Sequence, residues 1–350
     1  MDCIASPGKK VLVVAAGGGG DIASAVMIAK ALERLGARAV LGSVVWERYI
    51  YDDLPGPIRI DEIRNAVELE EGYALINADS YADRQGRKIV FQAARASAAI
   101  NKPIYIIDLY GGVRGFHRAV KAIAEREGVD FVIGVDAGGD SLASGCEDDL
   151  WSPLSDWVAL GALALVDGYL AVHSPGSDGE LSQEYVLERV DLFAKMGGLV
   201  GARAMCSDDA LLLEKILSYV GSEASRIPLL AFRGVRGEVS MRNGSRRVKL
   251  SLLSTFTFFL KANVVAESIE PVKEIMNTDS LYEARGILNS YGIYTELDLE
   301  EDLYSRGLRS SDVTGQVLLE TWLRGRERVR RSASRSYCSK QISNEKLSQS

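Results

Sequence analysis

VLVVAAGGGGDIASAVMIAKALERLGARAVLGSVV, residues Val11–Val45, decides the fold. Val11–Ala16 is a short run rich in valine that ends in four glycines and an aspartate, Gly17–Asp21. Ile22–Leu35 follows with apolar residues at helical spacing, placing Ile22, Val26, Ala29 and Leu32–Leu35 on one side. Gly36 stands where a helix C-cap glycine belongs. Ala39–Val45 is apolar again and reads as a second strand. Strand, glycine turn, helix and strand make a βαβ unit, which predicts a parallel sheet.

The same kind of ending recurs along the chain. The runs Val11–Ala16, Ala39–Val45, Tyr73–Ile76, Ile104–Ile107, Phe131–Val135 and Gly168–Val172 each run into glycines, carboxylates or other polar groups. The clusters read GGGGD (Gly17–Asp21), WER (Trp46–Arg48), NAD (Asn77–Asp79), DLYGGVRG (Asp108–Gly115), DAGGD (Asp136–Asp140) and HSPGSDGE (His173–Glu180). A parallel α/β sheet binds ligands at the carboxyl ends of its strands, so the pattern lines reactive groups along one sheet edge. Helices are expected over Ile89–Ile100, Phe116–Glu127, Leu154–Val166 and Ser182–Met196, with Ser152–Pro153 and Ser182 as start signals. Pro55 and Pro57 mark a loop.

The expected fold class is therefore α/β: a doubly wound, mostly parallel Rossmann-like sheet over residues 9–200. Residues 201–323 read as a smaller α+β addition packed on it. It holds a helix at Ala210–Tyr219 and a hairpin of Gly237–Met241 with Arg247–Ala262, turning at Arg242–Gly244. Short helices follow near Leu281–Tyr291 and Gly315–Trp322. Residues 324–350 are basic and then serine-rich, and read as a disordered tail.

Composition narrows the partners. With 47% hydrophobic and 25% charged residues, the chain can build a large core. A net charge of −7 argues against a nucleic-acid binder. Six arginines between Arg324 and Arg335 read as a solvated helix end. No signal peptide is legible, and Leu250–Leu260 falls far short of the roughly 20 residues that span a bilayer. The cysteines (Cys3, Cys146, Cys206, Cys338) are scattered without a CxxC pair, indicating neither a disulfide framework nor a zinc site. The expectation is a reduced, cytoplasmic protein without a membrane partner.

Gly17, Gly18, Gly19 and Gly20 let the backbone approach an anion, and the helix start adds unpaired N–H groups and a positive dipole end. No Gly-Lys-Ser/Thr follows, so this is not a P-loop. Gly18, Gly20 and Ala23 fit a dinucleotide fingerprint, and Glu47 then stands where an acid would hold a ribose hydroxyl. Asp21 would repel a bare phosphate there. It is an N-cap, or a metal ligand, or the neighbour of a ligand group that is not anionic.

Asp108, Asp136 and Asp140 follow two further strands and are read as sharing a hard cation such as Mg²⁺. Gly111, Gly112, Gly138 and Gly139 extend the phosphate cradle, and Arg114 would clamp the substrate. His173 ends a strand and suits proton transfer, a role shared with Asp21 and Asp140, while Ser177 lies on a loop that could close over a ligand. Asp156, in a first helical turn, is also what the helix dipole favours, and Glu147–Asp149 reads as a solvated loop. No Gly-x-Ser-x-Gly elbow occurs, which argues against a serine hydrolase.

GGGGD (Gly17–Asp21), VVWER (Val44–Arg48), IDLYGGVRG (Ile107–Gly115), GVDAGGDSL (Gly134–Leu142) and SPLSD (Ser152–Asp156) occur in this order. In that combination the chain resembles an uncharacterised, mainly archaeal family called domain of unknown function 1152, over roughly residues 9 to 325. The resemblance implies a stand-alone cytosolic α/β protein, archaeal in origin. It carries over no catalytic residue, because the family has no established activity.

The expected function is an enzyme binding a phosphorylated small metabolite or nucleotide with Mg²⁺, its reaction being hydrolysis, phosphoryl transfer or elimination. The alternatives are an NAD(P)-dependent oxidoreductase, carried by Gly18, Gly20, Ala23 and Glu47, and a non-catalytic small-molecule sensor.

Overall fold

The computed structural model describes residues 7–335 and 337–338, apart from the side chain of Asn243. The opening unit folds as read. β1 (Lys10–Ala15) and β2 (Arg38–Val44) pair in parallel, joined by α1 (Ile22–Arg34). Gly36 has a φ of +91°, so the chain leaves α1 through a backbone state that glycine takes without steric cost.

A nine-stranded sheet forms the centre. Its order is β11 (Leu199–Ala204), β14 (Phe256–Lys261), β10 (Tyr169–His173), β9 (Phe131–Ala137), β1, β2, β8 (Ile104–Ile107), β5 (Tyr73–Ile76) and β4 (Glu68–Glu70). The five strands from β10 to β8 are parallel. Numbered along the chain and read from β8 to β10, they stand third-second-first-fourth-fifth, so the connections reverse direction between β1 and β9. In doubly wound sheets the crevice at that reversal is where ligands bind. The strands outside the five are antiparallel to their neighbours.

Both faces are covered. Along β1, Val11, Val13 and Ala15 enter one core and Leu12 and Val14 the other, the period-two signature of a strand. α1, α2 (Gln92–Ile100) and α6 (Ser207–Leu217) cover the first face. α3 (Gly112–Glu127), α4 (Pro153–Leu165), α5 (Gln183–Lys195), α8 (Ala262–Ser268), α9 (Glu270–Ile275) and α10 (Leu281–Ser290) cover the second. α4 is buried along nearly its whole length, as its apolar run Trp157–Leu165 requires. α11 (Glu296–Ser305) and α12 (Gly315–Ser332) build a third cluster around Trp151, Leu303 and Trp322. α7 (Glu223–Phe232) packs on the hairpin of β12 (Gly237–Met241) and β13 (Arg246–Leu250). A small sheet, β3 (Ile63–Arg64), β6 (Tyr81–Arg84) and β7 (Arg87–Ile89), flanks the loop after β2.

Five readings change. Ile89 belongs to β7, and the helix begins only at Gln92. The second arm of the expected hairpin splits: β13 pairs with β12, whereas β14 inserts between β10 and β11. Part of residues 201–323 thus completes the central sheet. β5 runs antiparallel to β8, which puts Asn77–Asp79 at the opposite end from the other strand-end clusters. The basic stretch Arg324–Arg331 is helical, because Trp322, Gly325 and Val329 give α12 a buried stripe while Arg326 and Arg330 reach Asp148. Finally, Cys146 and Cys338 form a disulfide across 192 residues, which the absence of short cysteine spacings concealed. Cys3 and the rest of the tail lie outside the described residues. Among the described residues, no helix is long and apolar enough to cross a membrane.

Candidate functional site

A cavity of about 290 Å³ lies over the reversal point of the sheet. Four of its carboxylates come from three strand-end loops and the start of α4. Asp21 follows β1, Asp140 follows β9, Asp156 sits in the first turn of α4, and Asp178 lies on the loop after β10. Arg48, from the loop after β2, lines the same space, with Arg242 and Arg246 from the β12–β13 hairpin.

The carboxylates crowd one another. Oxygens of Asp21, Asp136 and Asp156 lie within 4.8 Å of one another, and so do those of Asp140, Asp178 and Glu180. All six residues are buried. At an effective dielectric of about 20, two such charges repel by roughly 3–4 kcal/mol, so full ionisation needs a compensating cation. Burial, then mutual repulsion, pushes Asp21, Asp140 and Asp156 well above the ordinary carboxylate range. Asp178 rises to about 7 by burial and by the charge of Glu180, against the pull of Arg246.

Two of the six are committed to the protein. Asp136 Oδ1 accepts from the Gly139 amide at 3.0 Å, and Oδ2 accepts from the Ser141 amide and hydroxyl. Burial pushes Glu180 up, but Arg246 and the donors at Trp151 and Ser152 outweigh it and hold Glu180 below the usual range. The other four are less satisfied. Asp156 Oδ1 and Asp178 Oδ2 are buried with no hydrogen-bond partner. A hard divalent cation takes oxygen ligands of this kind.

The guanidinium groups carry the opposite frustration. The Arg48 guanidinium has no hydrogen bond and no ion pair within 4.0 Å among the described residues, whereas Arg242 pairs with Glu223 at 3.3 Å and Arg246 with Glu180 at 3.1 Å. Burial pulls its pKa down, but Glu180, Asp21, Glu296 and Asp140 more than offset that and hold it charged. Burial and the charges of Arg48 and Arg246 push Arg242 down to about 9. Cations forced together beside a cavity favour an anion between them.

The glycine loop makes this crowding possible. A Cβ on Gly17 would fall 2.5 Å from Asp21 Oδ2 and 2.9 Å from Asp156 Oδ2. On Gly18 it would meet the Arg48 guanidinium at 3.1 Å, on Gly19 Glu47 Oε1 at 2.8 Å, and on Gly20 Ser222 Oγ at 2.9 Å. Each glycine therefore admits a different polar side chain.

The family model described as "Protein of unknown function (DUF1152)" matches residues 12–304. The chain belongs to this family. No curated protein and no solved structure matches it. The DUF1152 match takes in the whole carboxylate cluster and all three arginines, and ends before α12.

Within this DUF1152 chain the structure brings Gly18, Gly20, Asp21 and Asp140 to the cavity wall, with Gly17 and Asp136 directly behind the carboxylates. It does not bring Asp108 there. β1 and β2 stand between β8 and β9, so the ends of those strands are about 14 Å apart at ~4.8 Å per step. Asp108 instead accepts the Tyr110 amide at 2.7 Å. Arg114 points to the surface and pairs with Asp279, and Gly112, at φ +60°, packs against the backbone of residues 278–280 beside Gly111. Gly138 and Gly139 serve close packing, the first against Asp178 and the second against Val172 and Val186.

Glu47 accepts the amide and side chain of Gln92 and faces a separate pocket beside Lys88 and Arg95. His173 is fully buried, shares a 2.8 Å hydrogen bond with Thr257, and is pushed down to about 3 by burial. Neither His173 nor Ser177, also fully buried, lines the cavity. Sequence reasoning missed Arg242, Arg246, Glu296 and Glu300, and undervalued Arg48, Asp156 and Asp178. Glu296 accepts the amides of Leu154 and Ser155 at the start of α4, and Glu300 accepts Trp46 Nε1 and the Gly56 amide. Burial raises these two to about 7 and about 8.

Proposed function

We propose that this protein is a metal-dependent enzyme acting on a phosphorylated small molecule. Asp21, Asp140, Asp156 and Asp178 would hold Mg²⁺ or Mn²⁺, with Asp136 and Glu180 fixing the loops that carry them. Arg48 and Arg242 would take the phosphate. The supporting observation is one cavity, at the reversal of a doubly wound sheet, in which unsatisfied buried carboxylates face crowded guanidinium groups. A divalent cation carrying a phosphate relieves both at once: it neutralises the acids and lends the arginines an anion. When bound, the ion would polarise a phosphoryl oxygen. Glu296, which burial raises to about 7, would hold or release a proton near neutral pH. A cytoplasmic setting, rich in Mg²⁺ and phosphorylated metabolites, fits this reading.

The test is a thermal-shift series with nucleotides and sugar phosphates, each with and without Mg²⁺. A ligand at 100 times its Kd stabilises by about 2.7 kcal/mol. Stabilisation that needs both phosphate and metal, and vanishes in Asp156→Asn, is the expected result. Stabilisation by NAD(H) alone, without metal, would replace this reading with an oxidoreductase.

A further inference from the structure

The cavity has a second half unlike the first. One stripe of α11 crosses it: Glu296, Leu299, Glu300 and Leu303 share a helix face and all line the space. Glu296 stands at the helix start and Leu303 at the far end, with Leu299 and Glu300 adjacent between them; Glu300 is committed to Trp46 Nε1 and the Gly56 amide. Tyr49 and Leu318 extend the apolar side, and Ile50 and Tyr51 are exposed beside it. The Tyr49 hydroxyl donates to the Leu308 carbonyl at 3.0 Å, which leaves it committed to the protein.

We propose that the phosphate of the substrate carries a hydrocarbon group, which lies along Tyr49, Leu299, Leu303 and Leu318. The inference rests on the metal–phosphate reading above and names its substrate class. Charge orders the ends: Arg48 and the carboxylates fix the phosphate and cation, so the remainder of the molecule must run over the leucines. A polyol there would lose water and regain few hydrogen bonds, because those four side chains offer it almost none. A nucleobase fares little better on the nearby tryptophan. One face of Trp151 stacks on Trp322 at 4.3 Å, and the Arg246 guanidinium also sits over its ring, 4.6 Å from the centroid. That ring is a braced wall and not a free stacking platform. α12, which supplies Leu318, lies beyond the residues matched by the family model, whereas the metal-binding carboxylates all lie within them. The hydrocarbon end is thus completed by a part of the chain outside the family match.

The experiment is calorimetric titration of the full chain, loaded with Mn²⁺, with inorganic phosphate, methyl, n-butyl and n-hexyl phosphate, and glucose 6-phosphate. Burying a methylene favours binding by up to about fourfold, so Kd should fall two- to fourfold per added CH₂ until the chain reaches the rim. Glucose 6-phosphate should bind no better than methyl phosphate. Leu318→Gln should flatten the series and Leu318→Met should keep it. A flat wild-type series, tighter binding of glucose 6-phosphate than of n-hexyl phosphate, or an unchanged slope in Leu318→Gln overturns the inference and leaves the metal–phosphate reading standing. Failure of inorganic phosphate and every ester to bind the Mn²⁺-loaded protein overturns both.

Discussion

Replacing Asp178 by asparagine should stabilise the metal-free protein while weakening its response to metal. Asp178 is 5% exposed; Oδ1 accepts the Glu180 amide at 3.1 Å and Oδ2 has no partner. Its pKa stands at about 7 against an ordinary 3.8. The folded state therefore keeps a proton that the unfolded chain releases. Stability falls as pH rises from about 4 to about 7, and stays low above that. Three pKa units at ~1.4 kcal/mol each give a cost of about 4 kcal/mol at pH 8, an upper figure because the loop can relax. Asparagine keeps the acceptor for Glu180 and carries no charge. With an unfolding entropy of ~2.1 cal/mol/K per residue, recovering ~2–4 kcal/mol raises Tm by about 3–5 °C in a chain of this length. Scanning calorimetry in a chelator at pH 8 should show that rise, and at pH 5 the rise should be less than half as large. Millimolar Mn²⁺ should then raise Tm in the wild type more than in the variant. A lower Tm for Asp178→Asn in the chelator at pH 8, or an equal gain at pH 5, would refute the idea that this carboxylate carries an uncompensated cost.

Gly17→Ala places a methyl group 2.5 Å from Asp21 Oδ2, so it should destabilise by roughly 1–3 kcal/mol and abolish the Mn²⁺-induced Tm shift. An intact shift would show that Asp21 and Asp156 do not act at that point. Arg48→Ala should weaken inorganic phosphate binding to the Mn²⁺-loaded protein at least tenfold by calorimetry, with Mn²⁺ affinity not reduced; equal phosphate affinity would remove Arg48 from the site. Reducing the Cys146–Cys338 bond should lower stability by roughly 2–4 kcal/mol, and Cys338→Ser should show the same Tm in the presence and absence of reductant. Thiol titration that finds Cys146 and Cys338 free in the purified, unreduced chain would contradict the pairing.

The first βαβ unit was legible because the short valine-rich run Val11–Ala15 and the 3.6 period of Ile22–Leu35 are local properties. Asp21, Asp136 and Asp140 were legible as strand-end carboxylates. Asp108 looked the same in the sequence, and only the order of the strands separates it from them. The arginines were illegible for a related reason. Arg242 and Arg246 sit more than 60 residues from the nearest cluster carboxylate in sequence and reach it only because α7 and the hairpin fold over the sheet edge. A usable signal existed in α11, where Glu296 and Glu300 share the stripe of Leu299 and Leu303. A carboxylate on an apolar stripe needs a buried partner. Likewise the stripe of Trp322, Gly325 and Val329 was hidden in the tail because arginines fill the positions between them. His173 shows the converse: a histidine at a strand end looks reactive until the burial around it is known.

The central claim is that the buried carboxylates hold divalent cations. Equilibrium dialysis against Mn²⁺ at neutral pH, with bound metal counted per chain for wild type and Asp156→Asn, tests it most directly. The account predicts at least one tightly held Mn²⁺ per wild-type chain and its loss in the folded variant. No bound Mn²⁺ at millimolar free metal, or undiminished binding in Asp156→Asn, would contradict it.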